Sequence, residues 1–229
     1  MRFILLARNF SLLFVFLLFL SSCAVKEPER ERLATLEIIC LGDSITYGYK
    51  LADQARHSYP AQLSKQAHGR WHVLNFGVNG ATVLNKGDIP ITAQKVYQRV
   101  ISSHPDVVVV MLGTNDTKNN NWRYLDDFVN DYTSLIEKIQ NLPSNPHVIV
   151  CTVPPIFIDY PNGINAERED RINILVKKVA TLTNADFLDI YTLMSQEPGL
   201  FFDGVHPNRL GAREIATLVF NKVSSLESI

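Results

Sequence analysis

The sequence has no charge imbalance and no apolar run long enough to cross a membrane. It contains 22 lysine and arginine residues against 23 aspartate and glutamate residues, for a formal net charge of −1. Nucleic-acid binding rests on clustered basic side chains, so we expect no nucleic-acid partner. The apolar stretch from Phe10 to Leu20, interrupted by Ser11, is shorter than the roughly 20 residues that a membrane-spanning helix needs.

Cysteine is scarce, with only Cys23, Cys40 and Cys151 in the chain. No cysteine or histidine pair has metal-ligand spacing, so we expect neither a metal nor another cofactor. Cys40 and Cys151 lie in apolar, strand-like runs, where a thiol usually acts as a small hydrophobic group. A disulfide between them, which export would allow, is the less favoured alternative.

Two glycine motifs are also missing. Thr46 stands where Gly-x-Ser-x-Gly would place its second glycine after Ser44, which argues against an α/β-hydrolase nucleophile elbow. The segment Asn75–Thr82 contains only two glycines, so it does not form the Gly-x-Gly-x-x-Gly fingerprint of dinucleotide binding. The chain has no internal repeat either, so nothing favours an adhesin or a structural protein.

The N-terminus has the pattern of an export signal. Arg2 and Arg8 precede the apolar stretch, whose length fits a signal-peptide core. The stretch ends in Leu20-Ser21-Ser22-Cys23, which resembles the lipobox of bacterial lipoproteins. That resemblance implies that Cys23 is lipidated and becomes the mature N-terminus; simple secretion or an uncleaved anchor is the alternative.

We therefore predict a lipoprotein signal peptide over residues 1–23, a charged linker over residues 24–36 and one domain over residues 37–229. The protein would then be exported and attached to the membrane of the bacterial cell envelope through its lipid. Ala24, rather than aspartate, follows Cys23 and favours the outer membrane. The oligomeric state is left open.

Short β-rich runs alternate with longer stretches of helical period. The run Val107–Leu112 lacks polar alternation, as expected for a parallel strand covered on both faces. The alternation predicts an α/β fold with a parallel sheet. Predicted strands are Glu37–Leu41, His72–Phe76, Asp106–Leu112, His147–Thr152 and Asp186–Leu188. Predicted helices are Ala55–Ala67, Thr92–Ser103, Leu125–Gln140, Ala166–Leu182 and Asn208–Leu226.

Ligands of such sheets bind at the carboxyl ends of the strands, which is where Ser44 is predicted to lie. Ser44 sits in Gly42-Asp43-Ser44-Ile45-Thr46, directly after the first predicted strand. A serine hydroxyl is a weak nucleophile until a base lies within hydrogen-bond reach. Ser44 is therefore a candidate nucleophile only if a histidine reaches it.

Among six histidines, His206 is the best candidate base. It lies in the turn-rich loop Asp203-Gly204-Val205-His206-Pro207, just before the last predicted helix. Asp203 is three residues upstream, so one compact turn can bring its carboxylate to one ring nitrogen while the other accepts the serine proton. The other five histidines have ordinary explanations as surface, capping or packing residues.

Acyl transfer also needs hydrogen-bond donors for the oxyanion. The second predicted strand leads into Asn75–Thr82, where Gly77 and Gly80 allow a backbone N–H to be presented without an obstructing side chain. The third predicted strand ends in Gly113-Thr114-Asn115-Asp116, which places the Asn115 amide at the same edge.

Together these four blocks resemble the GDSL, or SGNH, hydrolases, and they occur in that family's order from Gly42 to Pro207. The resemblance implies a three-layer, flavodoxin-like sandwich with a mostly parallel, five-stranded sheet. It implies catalysis by Ser44, His206 and Asp203. It also implies an oxyanion hole made by the backbone N–H groups of Ser44 and Gly80 and by the Asn115 side chain.

The resemblance is nearest to secreted bacterial members that remove O-acetyl groups from carbohydrates, including sialate and polysaccharide O-acetylesterases. It implies a small-molecule or glycan ester as substrate. A lysophospholipase or thioesterase-like lipase is one alternative, and a catalytically silent binding module is another. Candidate substrate-facing residues are the aromatic and proline-rich ones after the strands, namely Tyr47, Tyr49, Trp122, Tyr124, Pro154–Phe157, Phe201 and Phe202.

Overall fold

A computed structural model describes residues 35–161 and 163–226. The predicted signal peptide, the predicted lipidation site Cys23 and nearly all of the predicted linker lie outside the described residues. Among the residues described, no helix is both long and apolar enough to span a bilayer.

The centre of the fold is a sheet of five parallel strands in the order β2-β1-β3-β4-β5. This is the flavodoxin-like order, in which the chain reverses its direction of winding between β1 and β3. The predicted α/β sandwich is thereby confirmed, and each strand begins and ends within one residue of its prediction. The strands are β1 (Leu36–Gly42), β2 (Trp71–Gly77), β3 (Val107–Met111), β4 (His147–Cys151) and β5 (Asp186–Leu188).

Most helices connect these strands, and the long ones match the predicted segments. Three predicted helices, those starting at Thr92, Leu125 and Ala166, begin with a 3₁₀ turn before the α-helix. Within the described residues the helices are α1 (Ser44–Tyr47), α2 (Gln54–His57), α3 (Tyr59–Gln66), α4 (Lys95–Ile101), α5 (Asn119–Trp122), α6 (Phe128–Gln140), α7 (Glu169–Leu182), α8 (Ile190–Met194) and α9 (Arg209–Leu226).

One predicted helix, Ala55–Ala67, is two helices in the structure. Ser58 separates α2 from α3 and has an extended backbone, with φ −58° and ψ 153°. Pro60 falls in the first turn of α3, where its missing N–H costs no helical hydrogen bond. In the interior of one continuous helix the same proline would have removed a bond.

The sheet is covered on both faces, which makes the three layers of the sandwich. Strand residues such as Ile39 and Val108 pack with α4, α6 and α7 on one face. Their neighbours Ile38 and Val109 pack with α3 and α9 on the other. Because both faces are buried, β3 needs apolar residues at every position, which explains its unbroken valine run.

Cys40 and Cys151 are free, buried thiols in the second of these cores. Cys40 lies on β1 and Cys151 on β4, with β3 between them. Strands lie about 4.8 Å apart, so two strand spacings exceed the reach of a disulfide, whose Cα atoms lie within about 7 Å. The disulfide alternative is therefore wrong, and the prediction of packing thiols is confirmed.

Candidate active site

Ser44 lies where β1 ends at the carboxyl edge of the sheet, as the first residue of α1. Asp43 caps this helix, because its Oδ1 accepts a hydrogen bond of 2.9 Å from the N–H of Ile45. Gly42 allows Thr46 and the end of β3 to approach the backbone closely here: a Cβ at this position would lie 2.1 Å from the Thr46 Oγ1 and 2.6 Å from the Met111 carbonyl oxygen.

The structure brings Ser44, His206 and Asp203 into one hydrogen-bonded row, as the sequence predicted. The Ser44 hydroxyl lies 3.1 Å from His206 Nε2, across 162 residues of chain. On the other side of the ring, His206 Nδ1 lies 3.0 Å from Asp203 Oδ2 and 3.2 Å from Oδ1. Because a carboxylate only accepts, Nδ1 carries the proton and Nε2 is free to accept one from Ser44.

The surroundings of the pair favour a neutral imidazole and an ionised carboxylate. Burial lowers the pKa of His206, outweighing the opposite effect of Asp203. Partial burial alone would raise the pKa of Asp203, but hydrogen bonds from Lys50 and from the His206 backbone and ring hold it well below its ordinary value. A neutral imidazole is the form that a general base requires.

The three predicted oxyanion donors face the same cavity. Gly80 has φ +80°, a conformation that favours glycine. Within the described residues, the backbone N–H groups of Ser44 and Gly80 make no hydrogen bond. Asn115 Nδ2 donates to the Ala81 carbonyl at 3.1 Å and to Asp43 Oδ2 at 3.4 Å. The second bond is long for N–H···O, so that N–H is only loosely engaged.

A buried hydrogen-bond network, which the sequence motifs did not predict, holds the loop that carries Gly80. Asp116 accepts the backbone N–H groups of Val83 at 3.1 Å and Leu84 at 2.9 Å. Burial raises the pKa of Asp116 to about 7 despite these two bonds. Asn121 Nδ2 donates to the Asn115 carbonyl at 2.9 Å. The only local signal was that Asp116 follows Asn115 in the same sequence block.

The cavity beside Ser44 has a volume of about 250 Å³. Two aromatic rings flank the His206 imidazole, that of Tyr49 at a centroid distance of 4.8 Å and that of Tyr160 at 5.3 Å. Tyr49 is one of the predicted substrate-facing residues. Tyr160 was not predicted, because it lies on an irregular loop without a motif. The lining residues are Ser44, Tyr49, Asn79, Gly80, Asn115, Tyr160, Ile164 and His206.

The other candidate substrate-facing residues do not line this cavity. Tyr47 lines a separate groove beside α3 and β2. Trp122 packs against the core and under the Arg168 guanidinium, 5.0 Å from its ring centroid. Phe157 and Phe201 contact each other edge to face in the second core, with their ring centroids 5.2 Å apart. The remaining candidates are likewise absent from the lining.

The described part of the chain contains no group of three or more histidine, cysteine, aspartate or glutamate side chains arranged to hold a metal ion. The arrangement at the site can remove a proton from a hydroxyl and surround a developing negative charge with N–H donors.

Comparison with known proteins adds two kinds of similarity. A sequence model described as the GDSL-like lipase/acylhydrolase family matches residues 40–214. An acetylxylan esterase of Xylanibacter ruminicola is 32% identical over 202 residues, covering 80% of this chain and 42% of that protein. A multidomain esterase of Ruminococcus flavefaciens is 27% identical over 214 residues, covering 77% of this chain and 27% of that protein.

The chain thus spans less than half the length of these two relatives. Among solved structures, a carbohydrate acetylesterase from Sinorhizobium meliloti superimposes with a TM-score of 0.65 at 19% identity. The superposition covers 83% of this chain and 99% of the other. At that identity the likeness shows a shared fold.

Proposed function

The chain belongs to the GDSL-like lipase/acylhydrolase family, and on that premise we propose that it is a serine esterase acting through an acyl-enzyme. The observation that carries the proposal is the row of hydrogen bonds from Ser44 through His206 to Asp203, beside a small cavity. A binding module would not need a nucleophile and a base in contact, so the arrangement favours the enzyme over the silent scaffold.

In the proposed reaction, His206 takes the hydroxyl proton as Ser44 attacks the ester carbonyl. The tetrahedral oxyanion is held by the N–H groups of Ser44 and Gly80 and the Asn115 amide. His206 then protonates the leaving alcohol, and water releases the acyl group by the same steps in reverse order. Asp203 fixes the ring tautomer and stabilises the imidazolium that forms.

The proposed substrates are O-acetyl groups of carbohydrates, on a polysaccharide or on sialic acid. The acetylxylan esterase among the relatives supports this class. The small volume of the cavity suits a short acyl group, and the rings of Tyr49 and Tyr160 offer apolar faces of the kind that pack on sugar rings. A lysophospholipase or thioesterase would need room for a long acyl chain.

An ester panel tests both the activity and the class. We expect hydrolysis of acetylated xylan and p-nitrophenyl acetate, with rates that fall as the acyl chain lengthens. Ser44→Ala should abolish turnover, and a serine-directed phosphonate should label Ser44 alone. Faster hydrolysis of long-chain esters would favour the lipase alternative. Labelling at another residue, or no turnover of any ester, would refute the proposal.

We also propose that residues 1–23 act as an export signal, that residues 24–36 form a linker to one catalytic domain, and that Cys23 anchors the protein to the envelope, on the outer membrane. The support is the apolar stretch ending in Leu20-Ser21-Ser22-Cys23. Metabolic labelling with a palmitate analogue should mark the wild type and not Cys23→Ala. An unlabelled wild type would contradict lipidation.

A further inference from the structure

A lysine outside the four sequence blocks contacts the proposed catalytic carboxylate. Lys50 Nζ donates a hydrogen bond of 2.7 Å to Asp203 Oδ2, across 153 residues of chain. That same oxygen accepts the His206 Nδ1 proton at 3.0 Å. The other oxygen, Oδ1, accepts the backbone N–H groups of His206 at 2.8 Å and Val205 at 3.1 Å.

We infer that Lys50 is a positioning residue of the proposed esterase: its ammonium group fixes the Asp203 carboxylate against His206 and offsets its charge, so that the imidazole stays neutral. The inference rests on the proposed function. Lys50 acts through Asp203 and does not line the cavity, so it is not itself a catalytic residue.

The backbone at Lys50 has an uncommon conformation, close to the segment that carries Ser44. Lys50 has φ +66°, in the left-handed region where most residues other than glycine are strained. It follows α1 by three residues, and the Tyr49 N–H beside it donates to the Ser44 carbonyl at 2.9 Å. The ion pair therefore links the segment that carries the nucleophile to the loop that carries the base.

The groups around the imidazole determine the sign of the electrostatic effect. Two charged side chains act on His206: Asp203 raises its pKa and Lys50 lowers it, in the same direction as burial. The other groups against the ring are the Ser44 hydroxyl and the rings of Tyr49 and Tyr160. Removing the Lys50 charge takes away one of the two effects that oppose Asp203, so the imidazole should hold its proton to higher pH.

The test compares Lys50→Met, which keeps an unbranched side chain only one atom shorter and without the charge, with Lys50→Arg, which keeps the charge. Lys86 offers a matched control, since its Nζ pairs with Asp127 at 2.8 Å and lies 5.9 Å from the centroid of the Tyr124 ring, away from the site. Lys86→Met should change neither the pH profile of kcat/KM nor the NMR titration of His206, the two readouts described below. Lys50→Gln provides a second uncharged variant if Lys50→Met does not fold.

The first readout is the dependence of kcat/KM on pH, measured with p-nitrophenyl acetate. The acidic side of this profile gives the pKa of the general base in the free enzyme. In Lys50→Met the acidic side should move to higher pH, so that the rate at pH 5.5, relative to that at pH 8, falls roughly threefold or more. Lys50→Arg should restore the wild-type profile. An unchanged profile in both uncharged variants would overturn the inference.

The second readout is NMR titration of the His206 imidazole, which does not depend on turnover. The ring should titrate at higher pH in Lys50→Met than in the wild type, the Arg variant and the Lys86 control. Equal titration in all four would overturn the inference whatever the kinetics show. A shifted titration in a protein that hydrolyses no ester would refute the proposed function and leave the electrostatic role of Lys50 standing.

Discussion

The carboxyl group of Glu169 should make the stability of this domain depend on pH. Glu169 is the first residue of α7 and only 3% exposed. Its Oε2 accepts the Ile156 N–H at 2.9 Å, while its buried Oε1 has no partner within the described residues. Burial is the main reason that the pKa of Glu169 rises to about 8, and the nearby charge of Asp170 adds to the effect.

The direction in which stability changes with pH depends on whether the folded or the unfolded state binds the Glu169 proton more tightly. An unfolded chain releases the Glu169 proton near the ordinary pKa of 4.5, whereas the folded state keeps it to about pH 8. Between these values the folded state binds more protons, so the free energy of unfolding falls as pH rises through this window. The full interval corresponds to roughly 5 kcal/mol. We expect about 2–3 kcal/mol, because the start of a helix favours a negative charge.

Glu169→Gln isolates this contribution, because glutamine matches the shape of the protonated acid. Denaturant unfolding at pH 8.5 should show the variant more stable than the wild type by about 2–3 kcal/mol, with little difference at pH 4.5. Glu137→Gln, at an exposed position on α6, is the control and should change stability at neither pH. Equal gains at both pH values, or none at pH 8.5, would refute the reasoning.

Two further predictions concern the oxyanion donors and the buried thiols. Asn115→Ala should lower kcat on an aryl acetate by roughly a hundred- to a thousandfold, with an unchanged circular dichroism spectrum; a variant that keeps most of its kcat would remove Asn115 from that role. Burial raises the pKa of Cys40 to about 12 and raises that of Cys151 as well. Peptide mapping should therefore find both thiols unmodified by iodoacetamide at pH 8 until the protein is unfolded, and labelling of the native protein would contradict their burial.

Much of the fold could be predicted because its signals are local in sequence. A strand buried on both faces must be apolar throughout. The run of valines in β3 therefore predicts a buried strand from its own residues alone. The break between α2 and α3 also had a local signal in Pro60, but the helical period on either side concealed it. The short helix α1 was not predicted, because four residues are too few to show a period.

The candidate site was predictable where its members lie close together in the chain. Asp203 and His206 are three residues apart, and one turn brings the carboxylate to the ring. Aromatic residues following strands were a weaker signal: Tyr49 lines the cavity, whereas Phe157 and Phe201 are part of the core. The residue type alone cannot distinguish an aromatic side chain that lines the cavity from one in the core, because an aromatic ring packs equally well on a sugar face and in the protein interior.

By itself the sequence determined the strands, the turn at Gly80 with its positive φ, and the short-range pairing of Asp203 with His206. Each of these depends on backbone geometry over a few residues. Only the tertiary structure decided that Lys50 would reach Asp203 and that Tyr160 would cover the imidazole. Those contacts join segments that are far apart in the chain. They form because the loops after β1 and β4 and the loop before α9 meet at one edge of the sheet, and residue spacing does not predict such a meeting.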